Sequence, residues 1–217
     1  MRIDILSNIF GHRPSASLDS IVFDASRYDF QGDQDGARVW FLPGGGGVGL
    51  YFFPRKPDLP DRAASIAQLR DFYTAQMCGK LQVVECRVLS LDEVRSIWLI
   101  AKTLLDEQTG GTVYLGSLTI PFRDFSFVIK IQCHEPGVTG MREALLVDEA
   151  LRKGTGRLED GRLDPIGWSF DAEQFDDRLP QHPLSRVRRE LRHIASSVQI
   201  EPKVRDQARF ELPQDDT

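Results

Sequence analysis

The chain has 217 residues, enough for one large domain or two small ones. A single domain of this length buries roughly 70% of the surface of its unfolded chain, so it needs neither disulfides nor a metal to hold it. Hydrophobic residues make up 41% and charged residues 27%, a balance typical of a globular rather than a disordered protein. The net charge of −5 argues against a general nucleic-acid binder, because such domains are usually basic.

The apolar runs and the cysteines indicate the cellular compartment in which the protein is expected. No apolar run reaches the roughly 18 residues of a membrane-spanning helix, and residues 1–6 lack the long apolar stretch of a signal peptide. Cys78, Cys86 and Cys133 are odd in number and have no C-x-x-C spacing, which agrees with a reducing compartment rather than a disulfide framework. Cys86 and Cys133 each lie in a strand-like run, so we predict that they are small apolar fillers. We therefore expect a cytoplasmic protein with no membrane association.

A glycine run lies between two short strands of the N-terminal part. Residues 39–42 and 48–53 are strand-like and flank Pro43-Gly44-Gly45-Gly46-Gly47. Because glycine accepts positive φ without steric cost, we predict a hairpin loop. A phosphate-binding loop is not indicated, since no Lys-Ser or Lys-Thr follows the glycines and a strand rather than a helix comes next.

The first predicted helix follows the proline-rich stretch at residues 57–60. Its apolar side chains recur at helical spacing, with Asp61 as a candidate cap and Gly79 as a candidate end; they are Ile66, Leu69, Tyr73 and Met77.

The middle of the chain predicts an antiparallel meander. Residues 84–88 alternate between apolar and charged side chains, and residues 112–122 and 124–133 are also strand-like. Residues 94–105 are ambiguous, since the stretch before them fits a helix capping box, but their β-branched and aromatic residues favour a strand. The alternation in 124–133 gives one apolar face, as expected for a sheet with one side on the core.

A second helix is predicted from Met141 to about Lys153, ended by Gly154. The expected apolar face consists of Met141, Ala144, Leu145, Val147 and Leu151. Residues 154–183 are rich in glycine, aspartate and proline and predict a wrapped loop anchored by Trp168 and Phe170.

A third helix is predicted to begin near Pro183, a residue favoured in the first helical turn. Because its apolar seam is short, we expect the helix to pack on this protein rather than to form a coiled coil. The seam comprises Leu184, Val187, Leu191, Ile194 and Val198. The same helix is locally basic, which suggests Arg186 and Arg189 as candidates for contact with an acidic protein surface or nucleic acid. The alternative is a solvated outer face, and the acidic remainder of the chain leaves little support for nucleic acid.

A small polar cluster follows the clearest strand. His134 and Glu135 come directly after Cys133, and Arg142 lies in the first turn of the second helix, where free backbone N–H groups could receive an anion. Cys133 and His134 should point to opposite faces of the strand, so a thiol–imidazole pair is disfavoured. No paired metal-ligand spacing and no standard nucleophile motif occur, so we predict no metal site and no cofactor.

The order of these elements predicts an α+β fold: a twisted antiparallel sheet meander with helices packed on it and a C-terminal helical extension. We expect residues 1–153 to form an α+β sandwich and residues 154–217 to pack as a loop and helix on the same core. Over roughly residues 20–153 this order resembles PsbP-like and DcrB-like proteins, and residues 114–119, 122–127 and 139–144 resemble uncharacterised bacterial proteins. Members of the PsbP-like and DcrB-like group mostly act as binding or accessory proteins, including chaperone adaptors for secreted toxins.

Two functions follow as hypotheses. The first is a non-catalytic protein-binding module, an immunity or adaptor protein for a bacterial toxin or effector, acting as a monomer or homodimer without nucleic acid. The second is a small-ligand-binding protein or enzyme with a pocket near His134, Glu135 and Arg142. A deep pocket with convergent polar groups there would favour the second hypothesis, and a filled surface would favour the first.

Overall fold

The computed structural model describes residues 16–34, 36–60, 65–76, 81–104, 111–135, 140–159, 162–165 and 169–213. Within them the strands are β1 (Ile21–Val22), β2 (Asp29–Gln34), β3 (Ala37–Phe41), β4 (Gly47–Phe53), β5 (Leu81–Leu91), β6 (Val94–Leu104), β7 (Thr112–Pro121), β8 (Ser126–His134), β9 (Gly156–Glu159), β10 (Arg162–Pro165) and β11 (Gln199–Ile200). The helices are α1 (Ile66–Gln76), α2 (Met141–Lys153), α3 (Pro183–Ser197) and α4 (Pro202–Arg205), with 3-10 turns at Leu18–Ser20 and Glu173–Phe175. None of these helices is both long and apolar enough to cross a bilayer.

Seven antiparallel strands form the central sheet, in the order β2-β3-β4-β8-β7-β6-β5. The run β5 to β8 is the predicted meander, and the α+β fold class is confirmed. The ambiguous residues 94–104 form a strand, because a tight turn at Asp92 and Glu93 pairs Leu91 with Val94 and returns the chain along β5. The glycine run is likewise the predicted hairpin loop, since β3 and β4 pair on either side of it.

Helix α3 covers one face of the sheet, as its seam predicted. Leu184, Val187, Leu191 and Ile194 are fully buried against the apolar side chains of β4, β8, β7 and β6. Gly116 in β7 lets the helix lie close, because a β-carbon there would stand 2.6 Å from side-chain atoms of both Val187 and Leu191. The C-terminal part continues along the same body, where β11 pairs with β1.

Helix α1 covers only one end of the opposite face. Leu69 is its fully buried residue and packs on Val88 of β5 and Ile97 of β6. Arg70 donates to the carbonyl oxygen of Val83 at 2.6 Å and so occupies an acceptor on the edge strand β5. The predicted helix is confirmed, while Asp61, Met77 and Gly79, as well as Cys78, lie outside the described residues.

The apolar face predicted for α2 is wrong. Met141, Leu145 and Leu151 are 52%, 48% and 44% exposed, whereas Arg142, Leu146 and Ala150 are buried. The face that carries Arg142, Leu146 and Ala150 points inward because the Arg142 guanidinium hydrogen-bonds to oxygen acceptors there. The spacing of apolar residues cannot predict this stabilisation, since such a pattern treats arginine as a surface residue.

The loop predicted after α2 also differs. Residues 156–159 and 162–165 form the antiparallel hairpin β9–β10, in which Leu158 pairs with Leu163, before the 3-10 turn at Glu173–Phe175. Of the two predicted anchors, Phe170 is half-buried and Trp168 lies outside the described residues.

Candidate functional site

The face of the sheet opposite α3 forms a groove with a volume of about 920 Å³. Strand side chains alternate between faces, so the neighbours of the buried residues of β3, β4, β7 and β8 point into this groove. Its floor is formed by Val39, Phe41, Gly47, Gly49, Tyr51, Phe53, Leu115, Ser117, Thr119, Val128, Lys130, Gln132 and His134. Because α3 packs on the other face and α1 reaches only one end, apolar side chains remain accessible across several strands.

Two segments border the groove. Residues 55–59, directly after β4, lie at one side, and Tyr73 and Gln76 of α1 lie at another. Burial raises the pKa of Tyr73 above its usual value.

Aromatic rings line the β3–β4 side of the groove. The rings of Tyr51 and Phe53 stack with centroids 6.2 Å apart and an interplanar angle of 12°. Tyr51 lies over Gly49, where a β-carbon would come within 2.7 Å of the ring. Phe41 is 55% exposed on the neighbouring strand. Such rings supply large contact areas at small entropic cost, as in protein interfaces.

The charged side chains of the groove are mostly basic. Among the described residues, Arg55, Lys56 and Lys130 line it together with one acidic residue, Asp58, in a chain whose net charge is −5. Lys130 Nζ lies 5.2 Å from the centroid of the Tyr51 ring. Among the described residues, neither Arg55 nor Lys130 has a carboxylate within ion-pair distance. The groove therefore offers positive charge beside apolar surface.

The structure places His134 on a different surface from Glu135 and Arg142, with which it was predicted to share a pocket. His134 is exposed and lines the groove, whereas Cys133, its neighbour, is buried on the α3 side. Glu135 is only 8% exposed and accepts from His182 Nε2 at 3.1 Å and from the Gly140 amide at 3.4 Å. Burial raises the pKa of the Glu135 carboxyl above its usual range.

Arg142, the third of these residues, is completely buried. Its guanidinium donates to the carbonyl oxygens of Phe170 at 2.7 Å and Ala172 at 2.8 Å, and to Ser185 Oγ and Asp176 Oδ1 at 3.1 Å each. The anion-binding role predicted for Arg142 therefore has no structural support, because its donors are bound within the protein. In the described part of the chain, this place between α2 and α3 is occupied by buried, hydrogen-bonded side chains, among them Arg142 and Ser185.

Arg186 and Arg189, the predicted contact residues of α3, have different surroundings. Arg186 is 9% exposed and donates to the carbonyl oxygens of Pro43 at 2.8 Å, Gly44 at 3.1 Å and Gly45 at 2.5 Å. A solvated outer face is thus wrong for Arg186, which clamps the glycine loop. Arg189 is exposed and donates to the carbonyl oxygen of Pro180 at 2.9 Å.

A second buried arginine on α3 was not predicted as a core residue. Arg188 donates to Glu85 Oε1 at 2.5 Å and to Asp176 Oδ1 at 2.9 Å, and Glu85 also accepts from the Trp98 indole at 2.8 Å. The sequence feature that could have indicated the burial of Arg188 is its position on the helix, four residues after Leu184 and beside the apolar seam. Asp176 thus joins Arg142 and Arg188 in one ionic network that holds α2 and α3 together.

His182 caps the start of α3. Its Nδ1 accepts from the Leu184 amide at 3.2 Å, so the ring is neutral with its proton on Nε2, which donates to Glu135. Burial, together with the charge of Arg142, lowers the pKa of His182 to about 4. Within the described part of the chain, no three His, Cys, Asp or Glu side chains are grouped so that they could hold a metal ion.

No protein-family model and no curated protein matches the chain. Among solved structures, the Saccharomyces cerevisiae Ran-binding protein Mog1p has 9% identity and a TM-score of 0.43, covering 85% of this chain and 87% of its own. PsbP from the cyanobacterium Synechocystis (CyanoP) has 10% identity and a TM-score of 0.43, covering 87% and 91%. A Bacteroides thetaiotaomicron protein has 10% identity and a TM-score of 0.33, covering 82% and 68%. The predicted resemblance to PsbP-like proteins recurs in this comparison, but TM-scores below 0.5 support no conclusion about function.

Proposed function

We propose that the protein is a non-catalytic protein-binding module whose groove receives an apolar segment of a partner protein. The observation that carries this proposal is the groove of about 920 Å³ on the face of the sheet that α3 does not cover. Phe41, Tyr51 and Phe53 lie along one side of it, and apolar surface of this extent with a polar border is typical of an interaction site.

The surroundings of the cysteine, glutamate and histidine side chains that could act as nucleophiles, acids or bases support a binding rather than a catalytic role. Burial raises the pKa of both Cys86 and Cys133 to about 11, so these thiols carry little of the reactive thiolate. The carboxyl of Glu135 and the ring of His182 bond to each other inside the protein. Of the histidines that the structure describes, His134 lines the groove.

The identity of the partner is a hypothesis within this proposal. The sequence suggests an immunity or adaptor protein that masks a bacterial toxin or effector, and a partner encoded beside this gene is the first candidate. Such an adaptor would hold an apolar segment of the effector out of water until its release, which a groove open along the sheet permits.

Two phenylalanines of nearly equal exposure provide the test. Phe41 is 55% exposed and lines the groove, whereas Phe30 is 56% exposed on β2 and does not line it. Phe41→Asp should reduce recovery of the partner from the native host by at least tenfold, because it places a charge on the apolar floor, and Phe30→Asp should leave recovery unchanged. Equal recovery with both variants, or no partner at micromolar concentration, would contradict the proposal.

A small amphiphile in the same groove is the alternative occupant, favoured by the combination of Lys130 with the apolar floor. Native mass spectrometry of the purified protein distinguishes the two. A bound molecule of a few hundred daltons that is lost in Phe41→Asp would favour the amphiphile over a protein segment.

A further inference from the structure

We propose that the partner segment that fills the groove is acidic as well as apolar, and that its carboxylates pair with Lys130 and Arg55. This inference rests on the proposed function and adds the charge of the partner to it. It follows from three observations: the sign of the charges in the groove, the lack of carboxylate partners for Lys130 and Arg55 among the described residues, and the positions of these two cations relative to β4.

The basic side chains of the groove differ in surroundings from most arginines of the sheet and helices. Arg38 pairs with Asp33 at 2.9 Å, and Arg142 and Arg188 share Asp176 at 3.1 and 2.9 Å. Lys130 and Arg55 are exposed and have no such carboxylate within the part of the chain described. A carboxylate supplied from outside would complete both ion pairs with little desolvation cost.

The two cations mark opposite parts of the groove. Lys130 of β8 pairs in register with Gly49 of β4. Arg55 lies two residues beyond Phe53, the last residue of β4. Counted along the chain from position 49 to position 55, the separation is up to about 20 Å at roughly 3.3 Å per residue. An extended segment would span this with about six residues, and a helix with about thirteen.

Between the two cations the floor is apolar. Tyr51, Phe53 and Val128 lie in this interval and are half-buried, so the segment between the two carboxylates should be apolar. A basic segment of equal hydrophobicity would meet like charge at both ends. Specificity would then come from charge at the ends and affinity from the apolar middle.

The experiment selects random 20-residue peptides displayed in a library against the immobilised full chain, with Phe41→Asp as a counter-selection. We expect the peptides that depend on Phe41 to carry acidic residues on both sides of an apolar stretch. Replacing those residues by their amides in a synthetic peptide should weaken binding by roughly tenfold for two exposed ion pairs, and added salt should reduce the difference.

The double variant Lys130→Glu/Arg55→Glu should remove the acidic preference or convert it to a basic one. The matched control is Arg123→Glu/Lys203→Glu, two exposed cations that do not line the groove, and it should keep the preference. Phe41-dependent peptides without any charge bias would overturn this inference and leave the proposed function intact. If no peptide depends on Phe41, the groove does not bind protein segments and both proposals fail.

Discussion

Alanine at position 116 tests how closely α3 lies on the sheet. The added β-carbon would stand 2.6 Å from Val187 Cγ1 and from Leu191 Cδ1, and 3.0 Å from Leu191 Cγ. Carbon atoms in contact are normally about 3.5–4.0 Å apart, so either the helix moves by about 1 Å or both side chains leave their rotamers. Overpacking of this kind costs about 1–3 kcal/mol of the free energy of unfolding.

A second substitution shows whether the crowding is the cause. Two of the three closest atoms belong to Leu191, so Leu191→Ala relieves part of the clash while costing roughly 2–5 kcal/mol on its own. The double variant Gly116→Ala/Leu191→Ala should therefore be more stable than the sum of the two changes predicts, by at least about 0.5 kcal/mol.

Equilibrium unfolding in urea, followed by circular dichroism, measures all of these variants. The matched control is Gly47→Ala in β4, where the nearest atom would be the Trp40 carbonyl oxygen at 3.6 Å. The control should change stability by less than about 1 kcal/mol. A Gly116→Ala protein as stable as the Gly47→Ala protein, or strict additivity with Leu191→Ala, would refute the close approach of α3.

Three further predictions concern stability. Glu93 is exposed at φ 67° in the β5–β6 turn, so Glu93→Gly should stabilise by about 0.5–1 kcal/mol in thermal unfolding, and no gain would contradict strain there. The pKa of His182 is lower in the folded state, about 4, than its usual 6.5, so stability present above pH 6.5 is lost as pH falls toward 4, by up to about 3 kcal/mol and partly offset by protonation of Glu135. Urea unfolding at pH 7 and pH 4.5 should show a smaller pH-dependent loss for His182→Asn than for the wild type, and an equal loss would exclude this cause. Arg142→Met should destabilise by about 3 kcal/mol or more, because it removes the buried guanidinium that donates to the carbonyl oxygens of Phe170 and Ala172 and takes away one of the two arginines paired with Asp176, whereas Arg152→Met on the exposed face of α2 should cost less than about 1 kcal/mol.

Periodicity alone predicted the elements whose partners are close in sequence or whose apolar pattern is strong. The alternation in residues 124–133 predicted one apolar face, and Phe127, Ile129 and Ile131 indeed lie on one buried face of β8. The seam of α3 and the glycine hairpin were likewise predicted from local pattern, because a repeat of 2.0 or 3.6 residues reports which side of an element avoids water. These elements sufficed for the fold class.

The candidate site could be predicted only in small part. His134 and Glu135 were chosen for their place at a strand end, and Arg142 for its place in the first turn of a helix. His134 lines the groove, whereas Glu135 and Arg142 lie inside the protein. The burial of Arg142 could not be predicted from the local sequence, because its acceptors belong to residues 170–185, a separate segment that the fold brings against α2.

The sequence by itself therefore determined an antiparallel meander and a helix with an apolar seam. Only the tertiary structure decided which face that helix covers, because strands β4, β7 and β8 present apolar side chains on both faces. With α3 on one face and α1 at one end of the other, Phe41, Tyr51 and Phe53 remain accessible beside Lys130. The groove exists because two helices of limited length cover a seven-stranded sheet incompletely, and this arrangement depends on long-range packing that no local pattern records.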